Sequence, residues 1–262
     1  MIIDTHAHLM FKDFKRDLEA VINRAKTAGV EKIVNVGCDL QSSKDAVKMA
    51  GEYENLYATL GLHPYDSLDA TEELMAEWEK LINENKKIVA IGECGLDYAK
   101  AKVPKGDQKK AFRMHLELAR KTGLPVIIHN READEDTLEI LSGYDGSDGK
   151  PQVYAVFHCF GSDVNFARKV WYKGYLTSFT GIVTYPTAEK LQEVVSEVPM
   201  DMFMVETDCP YLSPQKYRGG RNEPSYVRDV VEKIAEIKSM DFDDVARISG
   251  ENAGRFFLRM GM

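Results

Sequence analysis

Ile2-Ile3-Asp4-Thr5-His6-Ala7-His8 is the stretch from which the fold of this chain can be worked out. The two isoleucines are β-branched, so they predict a short buried strand at the start of the chain. Alternate side chains of a strand share a face, and His6 and His8 can therefore point the same way. Two imidazoles that converge at a strand end indicate half of a metal site. The alternative is a polar loop that merely contains two histidines.

Apolar strands alternate with amphipathic helices along the rest of the chain. After the opening strand we predict strands at residues 32–36, 56–61, 88–92, 125–128, 153–157, 175–179 and 202–205. We predict helices at residues 14–28, 41–53, 71–83, 107–122, 133–142, 164–172, 188–198, 226–237 and 242–258. Strands separated by helices pair in parallel, and eight of them favour a TIM (β/α)8 barrel of the α/β class. No glycine-rich dinucleotide fingerprint follows the first strand, which disfavours an open doubly wound sheet. We expect one domain over residues 1–262.

The composition is that of an ordinary globular protein. Apolar residues make up 44% and charged residues 29% of the 262 residues. The sequence has no apolar run of about 18 residues and no signal-peptide pattern, so we expect a cytoplasmic protein without a membrane span. The net charge of -8 gives no overall attraction for nucleic acid, and phosphate recognition would need a local basic cluster.

Polar residues lie where six of the eight predicted strands end. They are His6, His8, His63, Glu93, His129, His158 and Asp208. In a parallel barrel these strand ends form one rim, which is where barrel active sites are built. The sixth histidine, His115, lies in the middle of a predicted helix, where we expect a surface or hydrogen-bonded side chain.

Six of these rim residues are donors suited to zinc, magnesium, manganese, iron or nickel. They are His6, His8, Glu93, His129, His158 and Asp208. Six donors exceed one tetrahedral site, and they suit two divalent ions about 3.5–4 Å apart that share a carboxylate. We expect Glu93 to bridge, because it lies on a middle strand and offers two oxygens. Without cations, so many buried polar groups would be costly.

The four cysteines, Cys38, Cys94, Cys159 and Cys209, occur singly, so no C-x-x-C zinc ribbon or redox motif is present. Three of them directly follow candidate ligands, and their thiolates could bind zinc. The residue after a ligand faces the other side of a strand, however, and we favour packing beneath the rim.

Several motifs resemble those of the TatD family of metal-dependent deoxyribonucleases, which are amidohydrolase-like barrels. They are Asp4-Thr5-His6-Ala7-His8, Gly61-Leu62-His63-Pro64, Gly92-Glu93-Cys94-Gly95-Leu96-Asp97, Val126-Ile127-Ile128-His129, Glu206-Thr207-Asp208-Cys209-Pro210-Tyr211-Leu212 and Arg218-Gly219-Gly220-Arg221-Asn222-Glu223-Pro224. The motifs occur in order along essentially the whole chain. Cys94 and Cys159 stand where the family often has threonine and alanine, and neither change removes a ligand.

The resemblance implies a role for each rim residue. One divalent metal ion would be held by His6, His8, Glu93 and Asp208, and the other by Glu93, His129 and His158. His63 would contact the scissile phosphate. The expected catalytic residues are Asp208, which would accept a proton from the attacking water, together with Glu93 and His63.

Three arginines near the predicted rim are candidates for substrate binding beside His63. They are Arg131, Arg218 and Arg221, whose guanidinium groups suit bidentate phosphate contacts. Arg221 has the alternative of an ion pair with Glu223, and Arg131 could instead pair with Glu206 or Asp97.

Two further interpretations concern the same rim. We expect Glu206 to orient a ligand rather than to bind metal. Tyr65, Tyr98 and Tyr211 could stack on bases, although each is more often a packing residue.

We therefore expect a divalent-metal-dependent phosphodiesterase that cleaves DNA, as an exonuclease on single strands. One alternative keeps the site and changes the substrate to another ester or amide, such as D-aminoacyl-tRNA or a small molecule. A second alternative is a metal-binding scaffold without turnover. We expect DNA as the substrate partner, no membrane contact, no obligate protein partner and a monomer.

Overall fold

Eight parallel strands follow one another in chain order around a single sheet. The structure is a computed structural model that describes residues 1–147, 149 and 151–261. The strands are β1 (Ile2–Ala7), β2 (Val30–Asn35), β3 (Leu56–Leu60), β4 (Ile88–Asp97), β5 (Val126–Arg131), β6 (Ala155–Phe157), β7 (Leu176–Phe179) and β8 (Phe203–Val205). The predicted (β/α)8 barrel is confirmed.

Helices connect the strands on the outside of the sheet. They are α1 (Leu18–Thr27), α2 (Leu40–Glu52), α3 (Glu72–Glu84), α4 (Lys105–Thr122), α5 (Asp134–Ser142), α6 (Val164–Tyr172), α7 (Glu189–Glu197), α8 (Val227–Lys238) and α9 (Phe242–Phe256). Asp39, Thr71 and Asp163 cap the amino ends of α2, α3 and α6 by accepting backbone N–H groups. Among the described residues, none of these helices combines the length and the apolar composition that crossing a membrane requires.

The sheet closes where the chain leaves β8 and passes β1. Ala7 and Cys209 form a parallel bridge there. The backbone N–H of His8 donates to the Cys209 carbonyl at 2.9 Å, and that of Asp208 donates to the His6 carbonyl at 2.8 Å. The closing seam is thus made by the segments that carry candidate ligands.

Alternate residues of the strands belong to two different apolar clusters. Ile127 and Val156 belong to a small cluster that also holds Phe257, whereas their neighbours Val126 and Phe157 pack in the large cluster with the helices. The small cluster is therefore the barrel interior, and the large one is the layer between sheet and helices. His129 and His158 lie two residues beyond Ile127 and Val156, so they continue the interior face at the carboxyl end of their strands.

Two predicted boundaries differ from the structure for reasons of tertiary contact. β4 continues past Gly92 to Asp97, because residues 94–97 pair with β5. Gly95 makes this pairing possible: its φ is +142°, and a Cβ there would collide with the His129 carbonyl. α1 begins at Leu18 rather than Phe14, and Asp17 before it is bound by Arg221 from the segment after β8 and by Arg24 of α1 itself.

Candidate metal centre

Five strands bring the six predicted donors to the carboxyl-terminal rim of the barrel. His6, Glu93 and His129 lie within β1, β4 and β5, and His8, His158 and Asp208 follow β1, β6 and β8. β1 is irregular between Asp4 and Ala7, where its pairing with β2 shifts register. The two histidines of the opening stretch therefore lie where the pairing of β1 with β2 becomes irregular.

A first group of donors surrounds the Nε2 atoms of His6 and His8. These atoms are 3.2 Å apart, and Glu93 Oε2 lies 3.4 Å from the first and 3.9 Å from the second. Asp208 Oδ1 lies 3.7 Å from His6 Nε2 and 3.3 Å from His8 Nε2. Ligands about 2.1 Å from a tetrahedral ion are separated by roughly 3.4 Å. The spacing of this group fits one such ion.

A second group meets the other oxygen of Glu93. His129 Nδ1 lies 2.8 Å and His158 Nε2 lies 2.7 Å from Glu93 Oε1. Glu93 itself is only 4% exposed. One carboxylate thus presents an oxygen to each of two donor groups, which is the arrangement expected of a bridging ligand.

Polar groups outside the two donor groups lie close to three of the four histidines. His8 Nδ1 lies 2.8 Å from the Val36 carbonyl, so this nitrogen donates its proton and Nε2 keeps a lone pair for a metal. His129 Nε2 lies 3.2 Å from Asp97 Oδ2, and His158 Nδ1 lies 3.4 Å from Glu206 Oε1. In the part of the chain that the structure describes, His6 Nδ1 and His158 Nδ1 are buried without a hydrogen-bond partner.

In the two donor groups, burial and the neighbouring side chains shift the carboxylate pKa values in opposite directions. Burial would raise the pKa of Glu93, but His158, His129 and His6 outweigh it and hold that pKa well below its usual range. Burial would also raise the pKa of Asp208, but His8 and His6 outweigh burial and lower that pKa. Burial lowers the pKa of His6. Although burial opposes the shift, Asp208 raises the pKa of His8, Asp97 and Glu93 raise that of His129, and Glu93 and Glu206 raise that of His158. A divalent metal needs these imidazoles neutral, so binding it would release protons from them.

Asp4 joins the two strands of the closing seam beneath the first donor group. Its carboxylate accepts the backbone N–H of Thr207 at 2.9 Å, the Thr207 hydroxyl at 2.6 Å and the backbone N–H of His6 at 3.3 Å. Burial raises the pKa of Asp4 to about 7. The carboxylate therefore fixes the ligand His6 relative to the residue that precedes the ligand Asp208.

His63 stands beside the second donor group as a hydrogen-bond donor. Its Nδ1 accepts the backbone N–H of Tyr65 at 3.2 Å, so in the neutral ring the proton is on Nε2. Nε2 lies 3.3 Å from His129 Nδ1 and 3.8 Å from Glu93 Oε1. Burial lowers the pKa of His63 to about 4, which keeps the ring neutral near pH 7.

The three predicted substrate-binding arginines are not equally placed. Arg221 forms a bidentate ion pair with Asp17 at 2.8 Å and lies 3.9 Å from Glu223, so the geometry favours the loop-anchoring alternative. The Arg218 guanidinium lies 4.5 Å from the centre of the Tyr185 ring. Arg131 is exposed at the end of β5.

Arg131 has neither of the ion pairs that the sequence left open. Among the residues that the structure describes, no carboxylate oxygen lies within 4.0 Å of its guanidinium. Glu206 instead accepts the backbone N–H of Cys159 and the hydroxyl of Ser178, both at 2.6 Å. Glu206 Oε1 also lies 3.4 Å from His158 Nδ1, and Glu206 forms a candidate metal group with His6 and His158.

The other histidine and the cysteines lie outside the donor groups. His115 is buried, with Nδ1 2.7 Å from the Ala111 carbonyl and Nε2 accepting the Leu62 N–H. No cysteine belongs to a candidate metal group within the described part of the chain. Cys94 and Cys209 are fully buried as free thiols.

Three contributors to the site had no clear signal in the sequence. The Val36 carbonyl has none, because any residue supplies a carbonyl. Asp97 and Asp4 are carboxylates inside the motifs that hold Glu93 and His6, but only contacts show that they support His129 and Thr207.

A closed parallel barrel whose rim gathers histidine and carboxylate donors defines the class of metal-dependent hydrolase barrels. The model of the family "TatD related DNase" matches residues 3–258. The chain therefore belongs to the TatD family of metal-dependent hydrolases, and it is an enzyme of that class.

Relatives and solved structures agree with this placement. The chain is 47% identical to the uncharacterized metal-dependent hydrolase YabD of Bacillus subtilis over 257 residues, which covers 98% of this chain and 99% of that protein. It is 34% identical to the uncharacterized metal-dependent hydrolase YcfH of Escherichia coli K12, over 98% of this chain and 95% of the relative. The crystal structure of YjjV, a TatD homologue from Escherichia coli K12, superposes with a TM-score of 0.89 at 29% identity over 98% of each chain.

Proposed function

We propose that this protein hydrolyses phosphodiester bonds of DNA as an exonuclease on single strands, with two divalent metal ions in the rim site. The observation that carries the proposal is Glu93, whose two oxygens face two separate donor groups at 2.7–3.9 Å. His6, His8, Glu93 and Asp208 would hold one ion, and Glu93, His129 and His158 the other. The description of the matching family as a DNase supports the substrate class.

Two side chains supply the remaining chemistry. Bound at these positions, two divalent ions would act as Lewis acids that stabilise phosphate charge and acidify water. Asp208 would accept the proton of the attacking water, since its carboxylate is held ionised at the site by His8 and His6. His63 would donate its Nε2 proton to a phosphate oxygen, because Nδ1 is already an acceptor.

Exposed groups at the rim suit a nucleic-acid substrate. Tyr65 and Tyr211 are 47% and 55% exposed, and Tyr65 packs edge-on against His63 with ring centroids 4.3 Å apart. Exposed aromatic rings beside a phosphate site can stack on bases without sequence preference. Arg131 is exposed at the end of β5. We place the reaction in the cytoplasm, where the four free cysteines would remain thiols.

A second candidate keeps this site and changes the ester. The net charge of -8 disfavours long polyanions and would suit a small substrate, or an ester such as D-aminoacyl-tRNA held locally. A panel of single-stranded DNA, aminoacyl-tRNA and small esters separates the candidates by kcat/KM.

The proposed site is tested with Glu93→Gln and a matched surface control, Glu139→Gln. We expect Glu93→Gln to lose both metal ions and at least 100-fold of the DNA hydrolysis rate, because a neutral amide cannot bridge two cations. Metal content of the purified proteins and hydrolysis of a labelled single strand measure the two effects. A chelator should abolish activity of the wild type, and Mg²⁺ or Mn²⁺ should restore it. Full activity of Glu93→Gln would refute the assignment.

A further inference from the structure

The segment that follows β4 is strongly basic in an acidic chain. Residues 98–110 read Tyr-Ala-Lys-Ala-Lys-Val-Pro-Lys-Gly-Asp-Gln-Lys-Lys and contain five lysines and one acidic residue, whereas the whole chain has a net charge of -8. We call these residues the basic segment. It leaves the barrel at the carboxyl end of β4, the same rim that carries the candidate ligands.

The start of the basic segment is tied to a candidate metal ligand. Asp97 Oδ1 accepts the backbone N–H of Ala99 at 3.0 Å and that of Lys100 at 2.7 Å. The other oxygen of the same carboxylate lies 3.2 Å from His129 Nε2. One buried aspartate therefore positions both His129 and the first turn of the basic segment.

A buried glutamine holds the two ends of the loop together. Gln108 is 1% exposed, its Oε1 accepts the backbone N–H of Asp97 at 2.9 Å, and its amide donates to the Asp97 and Val103 carbonyls. These bonds fix the loop before any substrate arrives. A loop that is already ordered loses little conformational entropy when it binds a ligand.

Two exposed lysines of the loop have no ion-pair partner among the described residues. Lys100 and Lys102 are exposed, and among the described residues no carboxylate oxygen lies within 4.0 Å of either ammonium group. By contrast Lys109 is engaged by Asp136 at 2.7 Å. Arg131 lies beside the loop, since its carbonyl accepts the backbone N–H of Tyr98 at 2.9 Å.

An aromatic side chain connects the metal centre with this basic surface. The Tyr65 hydroxyl lies 3.4 Å from Asp97 Oδ2, and its half-exposed ring contacts His63. His63, Tyr65 and Asp97 thus link the donor groups to the start of the basic segment.

We propose that the basic segment is the path of the DNA strand beyond the scissile phosphate, with Lys100 and Lys102 contacting backbone phosphates and Tyr65 stacking on a base. This inference rests on the proposed function, and it names which side of the rim the strand follows. The exposed lysines contribute non-specific charge contacts, whose number sets the salt dependence of binding.

The test compares K100Q/K102Q with the control K26Q/K86Q, which removes two exposed lysines at the opposite end of the barrel. Binding of a fluorescent single-stranded 20-mer is measured by anisotropy in chelator, over a range of salt concentrations. We expect K100Q/K102Q to weaken binding at least fivefold and to reduce the slope of log Kd against log salt by about 1.4, from two lost contacts to a single strand. The control should match the wild type in both measurements.

Cleavage of 2-, 6- and 20-nucleotide strands separates this inference from the proposed function. We expect the loss of kcat/KM in K100Q/K102Q to grow with strand length. If the wild type binds but cleaves none of the strands, and the variant loses binding, the proposed function fails while the path stands. If the variant binds and cleaves the 20-mer like the control, the path is refuted. If the wild type neither binds nor cleaves, both are refuted.

Discussion

Glu93 shows how a single buried residue can organise a site. A carboxylate that is 4% exposed would be strongly destabilising by itself, but five imidazole nitrogens lie within 3.9 Å of its oxygens. Each partner that removes water from Glu93 also stabilises its charge. The same donors would bind divalent ions, so stability of the rim and metal binding depend on the same contacts.

The first prediction concerns Thr207, whose hydroxyl donates to Asp4 at 2.6 Å. Thr207→Val should lower the free energy of unfolding by about 1–3 kcal/mol, because it leaves a buried carboxylate oxygen without its donor. Thr207→Ser keeps the hydroxyl and should cost less. Urea denaturation of chelator-treated proteins measures the difference. Equal stabilities of the valine and serine variants would contradict the role given to Asp4.

The second prediction concerns His115, whose pKa is lowered by burial to about 4. In the unfolded state the His115 imidazole binds a proton below its ordinary pKa of about 6.5. In the folded state it binds one only below about pH 4. Acid therefore favours unfolding, by about 3 kcal/mol between pH 6.5 and pH 4. His115→Gln should remove this part of the pH dependence.

Denaturation of the wild type and of His115→Gln at pH 7.5, 6.5, 5.5 and 4.5 measures the effect. The advantage of the wild type should shrink as the pH falls through this range. Parallel stability curves would show that His115 is not kept neutral by the fold.

At the level of elements, the segment after β8 is fastened to α1. Arg24 on α1 binds Glu223 at 2.6 and 2.8 Å, and Arg221 binds Asp17 just before α1. Asn222 between them is buried and donates to the carbonyls of Thr207 and Tyr211. The long connection that follows Asp208 is therefore held in place by ion pairs at its edge and an amide at its centre.

The third prediction separates the two roles considered for Arg221. If it anchors the segment, Asp17→Asn and Arg221→Lys should have similar small effects on KM for DNA, and the two changes should not add. If it binds phosphate, Arg221→Lys should raise KM severalfold while Asp17→Asn leaves KM unchanged. Steady-state kinetics of the two single variants and the double variant measure the coupling, and we expect the first result.

At the level of the whole molecule, the metal site joins elements that are far apart in the chain. Its donors come from β1, β4 and β5 and from the residues that follow β1, β6 and β8. A bound ion would therefore restrain the barrel on several sides, including the seam between β1 and β8.

The fourth prediction follows from that arrangement. A ligand present at 100 times its Kd stabilises the folded state by about 2.7 kcal/mol, and a chain of this size gains about 2–4 °C in Tm for each kcal/mol. A chelator should thus lower the Tm of the metal-loaded protein by about 5–10 °C. His129→Ala should respond less, because one donor group is incomplete. An unchanged Tm on chelation would argue against metal binding at the rim.

Much of this architecture could be predicted because its signals are local. Alternation of apolar strands and helices identified all eight strands, and the polar residues at six of the strand ends identified the rim. The ends of the elements were harder to predict. β4 extends to Asp97 because β5 supplies hydrogen bonds to it, and α1 starts only after Asp17, which is bound by Arg221. Both depend on residues distant in sequence.

The sequence by itself determined the barrel and its six candidate donors, because strand periodicity and residue chemistry can both be recognised within short segments of the chain. Only the tertiary structure decided which atoms face one another. In the structure Arg221 pairs with Asp17, and Glu206 accepts a hydrogen bond from Ser178. Asp97 contacts both His129 and the start of the basic segment. Such pairings depend on distances between strands that closure of the barrel sets, and no stretch of sequence contains those distances.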